Sequence, residues 1–163
     1  MVMINAHEKT GLIGNVRIIQ TKAGTDEVVA ISPWMKNMIM RGTNTGIDII
    51  LDHLIGDATY SLNLNYADIG TGSNAPALTD TQLQTPSARA GRVTASVTGA
   101  TATLRFFFTD AALSNTTYRE FATFSDGTST ISTGRIFNRI LFTSPYVKTA
   151  GVDTTIEVTF TIT

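Results

Sequence analysis

The sequence predicts a mainly β fold: an antiparallel β-sandwich of jelly-roll or immunoglobulin-like type, or a small barrel, with one short α-helix near residues 44–55. Several segments alternate apolar and polar residues with the period of two that half-buried strands require. Threonine, a β-branched residue that favours strands, occurs 28 times in 163 residues. Because turn-forming residues separate these segments, we expect seven or eight short strands.

The first third of the chain predicts a lead-in followed by a hairpin. Residues 1–13 lack periodicity and are interpreted as an N-terminal arm or irregular lead-in to a single domain at 14–163. β-branched residues cluster at 15–20 and 27–31 around a polar turn, which indicates a hairpin with a longer loop. A short apolar run at 37–40 then leads to the helix.

The helix prediction depends on one apolar stripe with the spacing i, i+3, i+4 and i+7. The stripe consists of Ile47, Ile50, Leu51 and Leu54. Asn44 or Thr45 can cap its beginning, and Gly56 ends it. We expect this helix to pack on a sheet face or to close one end of the fold.

Residues 70–90 are rich in Gly, Ser, Thr, Pro and Asn and predict a long ordered loop. Pro76 and Pro86 restrict its backbone, and Leu78 and Leu83 can anchor it. Long loops inside a compact domain commonly contact another surface.

The second half predicts consecutive strands. Residues 93–98 and 102–109 form an alternating hairpin, and 119–124 and 135–143 read as two further strands. The clearest alternation closes the chain, because a one-residue slip would expose all its apolar residues. These residues are Ile156, Val158, Phe160 and Ile162.

Charge and composition exclude several classes of protein. The formal net charge is −1, and the basic residues are scattered singly, unlike the clusters that bind nucleic acid. There is no cysteine for a disulfide or thiolate metal site. Neither a signal peptide nor an apolar run of membrane-spanning length is evident, so we expect synthesis in a cytoplasm and no membrane partner.

Residues suited to catalysis are sparse. His7 lies in the lead-in and His53 on the helix flank, where Asp52 cannot face it. The Gly70-x-Gly72 pair lacks the third glycine and following helix of a phosphate-binding loop. The sequence therefore predicts no enzyme, with no catalytic, metal-binding or cofactor-binding residues.

Some residues point to contact with other molecules. Phe107 falls on the Thr/Arg face of its strand, and Trp34 lies beside Pro33 in a connecting segment. Together with the long loop they favour docking or self-association. The candidate interface residues are Trp34, Thr71, Ser73, Asn74, Pro76 and Phe107.

Several segments, taken in order over residues 37–163, resemble a family of small bacteriophage structural proteins. The most recognisable stretch runs from Ile69 to Leu83, and the chain departs from the usual pattern at Phe121 and Thr123. The matching segments are Asn37-Met38-Ile39, Gly46-Ile47-Asp48 with Leu51, Ile69-Gly70-Thr71-Gly72 with Ala75-Pro76, Thr79-Asp80-Thr81-x-Leu83, Arg119-Glu120-x-Ala122-x-Phe124, Ser144-Pro145-x-x-Lys148-Thr149 and residues 155–162.

The resemblance implies a virion component made in a bacterial host, and it implies no catalytic residues. Such proteins are capsid decoration or cement proteins, or are associated with the tail fibre, baseplate or neck. The chain ends inside its last predicted strand, which favours a decoration protein that binds the major capsid protein as a homo-oligomer, for example a trimer. A tail protein is the alternative, and a carbohydrate-binding module is a third candidate.

Overall fold

Strands β1 (Leu12–Lys22) and β2 (Val28–Ile31) form the predicted first hairpin of the computed structural model, which describes residues 11–163. Residues 1–10 of the predicted arm lie outside the described part. The arm prediction is wrong for residues 12 and 13, because β1 already begins at Leu12 and pairs with the last strand along its whole length.

The remaining elements follow in chain order, and all but two of them are strands. They are β3 (Met35–Lys36), β4 (Met38–Ile39), α1 (Gly46–Leu54), β5 (Leu64–Gly70), β6 (Pro86–Thr98), β7 (Thr101–Phe108), a 3₁₀ turn (Asp110–Ala112), β8 (Thr117–Ser125), β9 (Arg135–Val147) and β10 (Val152–Ile162).

All strands belong to one antiparallel sheet with the order β2-β1-β10-β7-β6-β5-β8-β9-β4, in which β3 also pairs with β1. The 13-residue strand β6 pairs with β5 through its first half and with β7 through its second. Its register shifts between Arg92 and Thr94, where a bulge increases the local bend. The mainly β, antiparallel prediction is confirmed, whereas the two packed sheets of a sandwich are not.

The sheet curls until its two ends approach each other. Met35 pairs with Val16 of β1, and Met38, three residues later, pairs with Arg139 of β9. Asn37 between them donates its backbone N–H to Gly14 O (3.0 Å). The segment 35–39 thus bridges β1 and β9 at one place, and the curled sheet forms a half-barrel.

The concave face of the sheet holds the main core. Phe137 and Phe160 meet edge to face at 5.1 Å, and Tyr118 stacks on Tyr146 at 6.2 Å. The Tyr146 hydroxyl lies 2.6 Å from Thr154 Oγ1, so its polar tip has a partner inside the core. Burial raises the pKa of Tyr118 and Tyr146.

The buried side of helix α1 differs from the predicted apolar stripe. Ile49, which was not part of it, is fully buried, whereas Leu51 and Leu54 are exposed. The prediction assumed that one long face lies on the sheet, but the nine-residue helix presses only a narrow strip against the fold. The helix ends at Leu54, and Gly56, the predicted stop signal, follows the C-cap residue Ile55 with a φ of +85°.

The beginning of the helix uses a carboxylate rather than the predicted cap side chain. Thr45 occupies the N-cap position without a side-chain cap hydrogen bond, and Asp48 accepts the backbone N–H of Asn44 (2.7 Å). Between residues 11 and 163 no helix has the length and apolar composition that spanning a bilayer requires.

Candidate functional site

Histidine and acidic residues do not gather into a site in the described part of the chain. Residues 11–163 contain no group of three or more His, Cys, Asp or Glu side chains that could hold a metal ion. His53 Nδ1 lies 3.0 Å from Ile49 O, one turn back on its own helix. His7 lies outside the described residues.

The predicted loop runs between β5 and β6, at residues 71–85, and it surrounds the carboxylate of Glu120. This carboxylate is inaccessible to solvent. Oε1 accepts the backbone N–H groups of Gly72 (3.1 Å) and Thr85 (2.7 Å), and Oε2 accepts that of Gln84 (2.9 Å). Three backbone donors from both ends of the loop therefore converge on one side chain of β8.

Arg139 of β9 completes this buried cluster. Its Nη2 donates to Glu120 Oε2 (2.8 Å) and to Asn74 O (3.2 Å), while its Nη1 pairs with Asp80. The two ionised groups are thus paired and hydrogen-bonded, as burial of charge demands. The cluster anchors both the middle and the ends of the loop.

Gly70 and Gly72 are explained by the same cluster. A Cβ atom at Gly70 would lie 2.7 Å from Glu120 Oε1, and one at Gly72 would clash with the same oxygen. Neither glycine has a positive φ. The pair is therefore required for close approach of the loop backbone to a carboxylate.

Of the four candidate interface residues of the loop, two are exposed and two are half-buried. Thr71 is half-buried and donates its N–H to Thr85 O (3.0 Å), and Pro76 is also half-buried. Ser73 and Asn74 are exposed, and both donate their backbone N–H groups to Gln84 Oε1 (2.9 and 2.8 Å). The loop therefore presents a surface of fixed shape.

Trp34 and Phe107 lie on a second surface, the convex face of β1, β10 and β7. Ile31, Ile19, Thr155 and Phe107 stand opposite one another across four strands and form one row. The adjacent row consists of Arg17, Glu157 and Arg105. We call these two rows, with Trp34, the outer face.

The charged row is an ion triad on one carboxylate. Arg17 Nη2 lies 2.7 Å from Glu157 Oε1, and Arg105 Nε lies 2.6 Å from Oε2. The Glu157 side chain is only 4 % exposed, although it stands on the convex side of the sheet. Both arginines stay partly exposed, so the triad presents a net charge of about +1.

Aromatic residues flank this triad. The guanidinium of Arg17 lies 4.5 Å from the centre of the Trp34 ring, a cation–π contact. Trp34 is 45 % exposed and Phe107 is 37 % exposed. Beside Phe107 a shallow depression of about 500 Å³ is lined by Ile19, Ile31 and Val93, among others.

The structure thus divides the six candidate residues between two surfaces, the loop and the outer face. Sequence reasoning missed Ile19, Arg17, Arg105 and Glu157. The alternation in β1 and β7 does place Arg17 with Ile19, and Arg105 with Phe107. No sequence signal joined the two strands through Glu157, which the alternation of β10 places on the polar face.

Comparisons with known proteins identify no relative. No family model, no curated protein and no solved structure matches the chain.

Proposed function

We propose that this protein is a bacteriophage virion structural protein, a decoration or cement protein that binds the head shell through its outer face. The observation that carries the proposal is the combination of Trp34, Phe107 and two arginines on one exposed sheet face. Tryptophan, arginine and other aromatic residues are enriched at the energetic centres of protein interfaces. The virion assignment itself rests on the sequence resemblance over residues 37–163.

The proposal needs a rigid binding surface, and two ion clusters, each centred on a buried glutamate, support this requirement. Glu157 fixes two arginine side chains that would otherwise lose rotamer freedom on binding. Glu120 and Arg139 hold the loop in the same way. We propose accordingly that the protein has no catalytic role and that its partners are other virion proteins, foremost the major capsid protein.

The finer fold class is also part of the proposal. We assign a small barrel in preference to a jelly-roll or immunoglobulin-like sandwich, because the segment 35–39 pairs with both β1 and β9. Location in the virion, self-association, and head rather than tail attachment belong to the proposal as well. A tail, baseplate or neck role remains the alternative.

We expect Phe107→Lys to weaken binding of the purified protein to head shells of the encoding phage by about 30-fold or more. A lysine replaces an aromatic contact and adds charge to a desolvated centre, and hot-spot losses are about 2 kcal/mol or larger. Co-sedimentation with head shells measures the affinity.

The matched control is Ile131→Lys, which alters an apolar residue that is as exposed as Phe107 but lies in the connection between β8 and β9. It should bind like the parent protein. Equal affinities for all three proteins would contradict the outer face as the binding surface.

A further inference from the structure

The open end of the half-barrel contains an apolar cavity of about 650 Å³. Ile50 of α1, Leu64 of β5 and Phe137 of β9 line it, and Ala95 of β6 lies in its wall. This volume is typical of sites that take up a small molecule or several side chains. The cavity lies apart from the outer face, because its wall includes the concave-side residues Leu104 and Phe160.

The end of helix α1 projects beside this cavity. Leu54 and Ile55 are 77 % and 83 % exposed, more than any other large apolar residue among 11–163. Leu54 follows Ile50 by four residues, so both lie on the same side of the helix. A protruding apolar pair thus stands next to an apolar cavity on the same molecule.

The charges at these two features are complementary. Arg92 is the one charged residue that lines the cavity. The protruding pair is flanked by Asp52 and Asp57, and the carbonyl end of a helix adds partial negative charge. A copy of this helix end therefore fits the cavity in both polarity and charge.

We propose that two copies of the chain associate about a two-fold axis, each inserting Leu54 and Ile55 into the cavity of the other. Because the protruding pair and the cavity lie next to each other on one surface, the contact is self-complementary, as a two-fold interface requires. Asp52 or Asp57 of each copy approaches Arg92 of the other. This inference does not depend on the virion role, and the product is a dimer in place of the trimer that the resemblance implies.

Sedimentation velocity of the full chain at about 1–100 µM tests the proposal. The parent protein should form a dimer. Ile55→Lys replaces one apolar residue of the protruding pair with a charged one, and Ala95→Trp fills the cavity from an exposed position in β6. Each should raise the dimer dissociation constant at least about 30-fold, while Arg92→Gln raises it less and reduces its dependence on salt.

The matched control is Val29→Lys, an equally drastic change at an exposed residue of β2, which should remain dimeric. Circular dichroism of each variant establishes that it is folded. A strict monomer, a trimer, or a dimer that survives both Ile55→Lys and Ala95→Trp would overturn the proposal. Head-shell binding by monomeric Ile55→Lys would leave the proposed function intact, so the two ideas fail separately.

Discussion

Replacing Glu120 with alanine is expected to lower the free energy of unfolding by about 3–5 kcal/mol, the usual cost of breaking a buried ion pair from one side. The substitution leaves the Arg139 guanidinium without one of its two carboxylates and removes the acceptor of three backbone N–H groups. Urea unfolding at neutral pH measures the loss. Hydrogen exchange should accelerate at the amides of Gly72, Gln84 and Thr85.

Two variants make this result specific. Glu120→Gln keeps an acceptor oxygen for the loop but loses the charge that pairs with Arg139, so an intermediate loss is expected. Glu27→Ala removes an exposed carboxylate and should change stability by less than about 0.5 kcal/mol. Unchanged exchange at the three amides in Glu120→Ala would show that the carboxylate does not hold the loop.

Phe106→Ala should cost about 3–5 kcal/mol, the range for deleting a large buried aromatic side chain. Phe106 is fully buried on the concave side of β7 and meets Phe121 edge to face at 6.1 Å. Its removal leaves a cavity between β7 and β8 and ends an aromatic contact. The shift in the denaturation midpoint, at unchanged m-value, measures this loss.

The neighbouring Phe107 provides the comparison, since it differs only in the side of the sheet that it faces. Phe107→Ala should cost about 1 kcal/mol or less, because more than a third of the side chain is already exposed. Similar losses for the two alanine variants would contradict the assignment of Phe106 to the core and of Phe107 to the outer face.

Alternation was sufficient to predict the strands that have one buried and one accessible face. In β10 the predicted core residues Ile156, Val158 and Phe160 are buried, and only Ile162 at the strand end is exposed. Alternation also predicted the hairpin of β6 and β7, but only β7 alternates in burial, since residues 93–98 of β6 are exposed throughout. Such strands produce a period of two in the sequence, because successive side chains point to opposite faces and only one face is buried.

Strand β5 could not be predicted in this way. Ala67, Asp68, Ile69 and Gly70 are all buried, so both of its faces are covered and no alternation results. Asp68 resembles a loop residue in sequence, yet it pairs with Arg89 in the interior (Nη2 to Oδ2, 3.1 Å). Its partner comes from a different strand, and only the fold brings the two together.

The start of β6 was also missed, because its residues were predicted to belong to the loop. The predicted loop extended to residue 90, but β6 begins at Pro86, in the position where a strand tolerates proline. Residues 88–91 pair with β5, but a composition rich in Ser, Pro and Ala gave no sign of this strand. Turn-forming composition therefore overestimated the length of the loop.

The ion clusters at Glu120 and Glu157 are the part of the candidate surfaces that sequence could not supply. Each joins residues more than 15 positions apart, from β8 to β9 and from β10 to β1 and β7. In sequence, a single glutamate among threonines, as at Glu157, is typical of a solvated position. Trp34 and Phe107 were recognisable because large aromatic residues outside an apolar face are uncommon in themselves.

The number of copies in purified particles tests the central claim most directly. Quantitative mass spectrometry of phage particles, with the major capsid protein as internal standard, gives this number. The proposed decoration of the head shell predicts hundreds of copies per particle, in a simple ratio to the capsid protein. About a dozen copies per particle would indicate a location in the tail or neck and contradict the head-shell role. Absence of the protein from particles would contradict the virion role altogether.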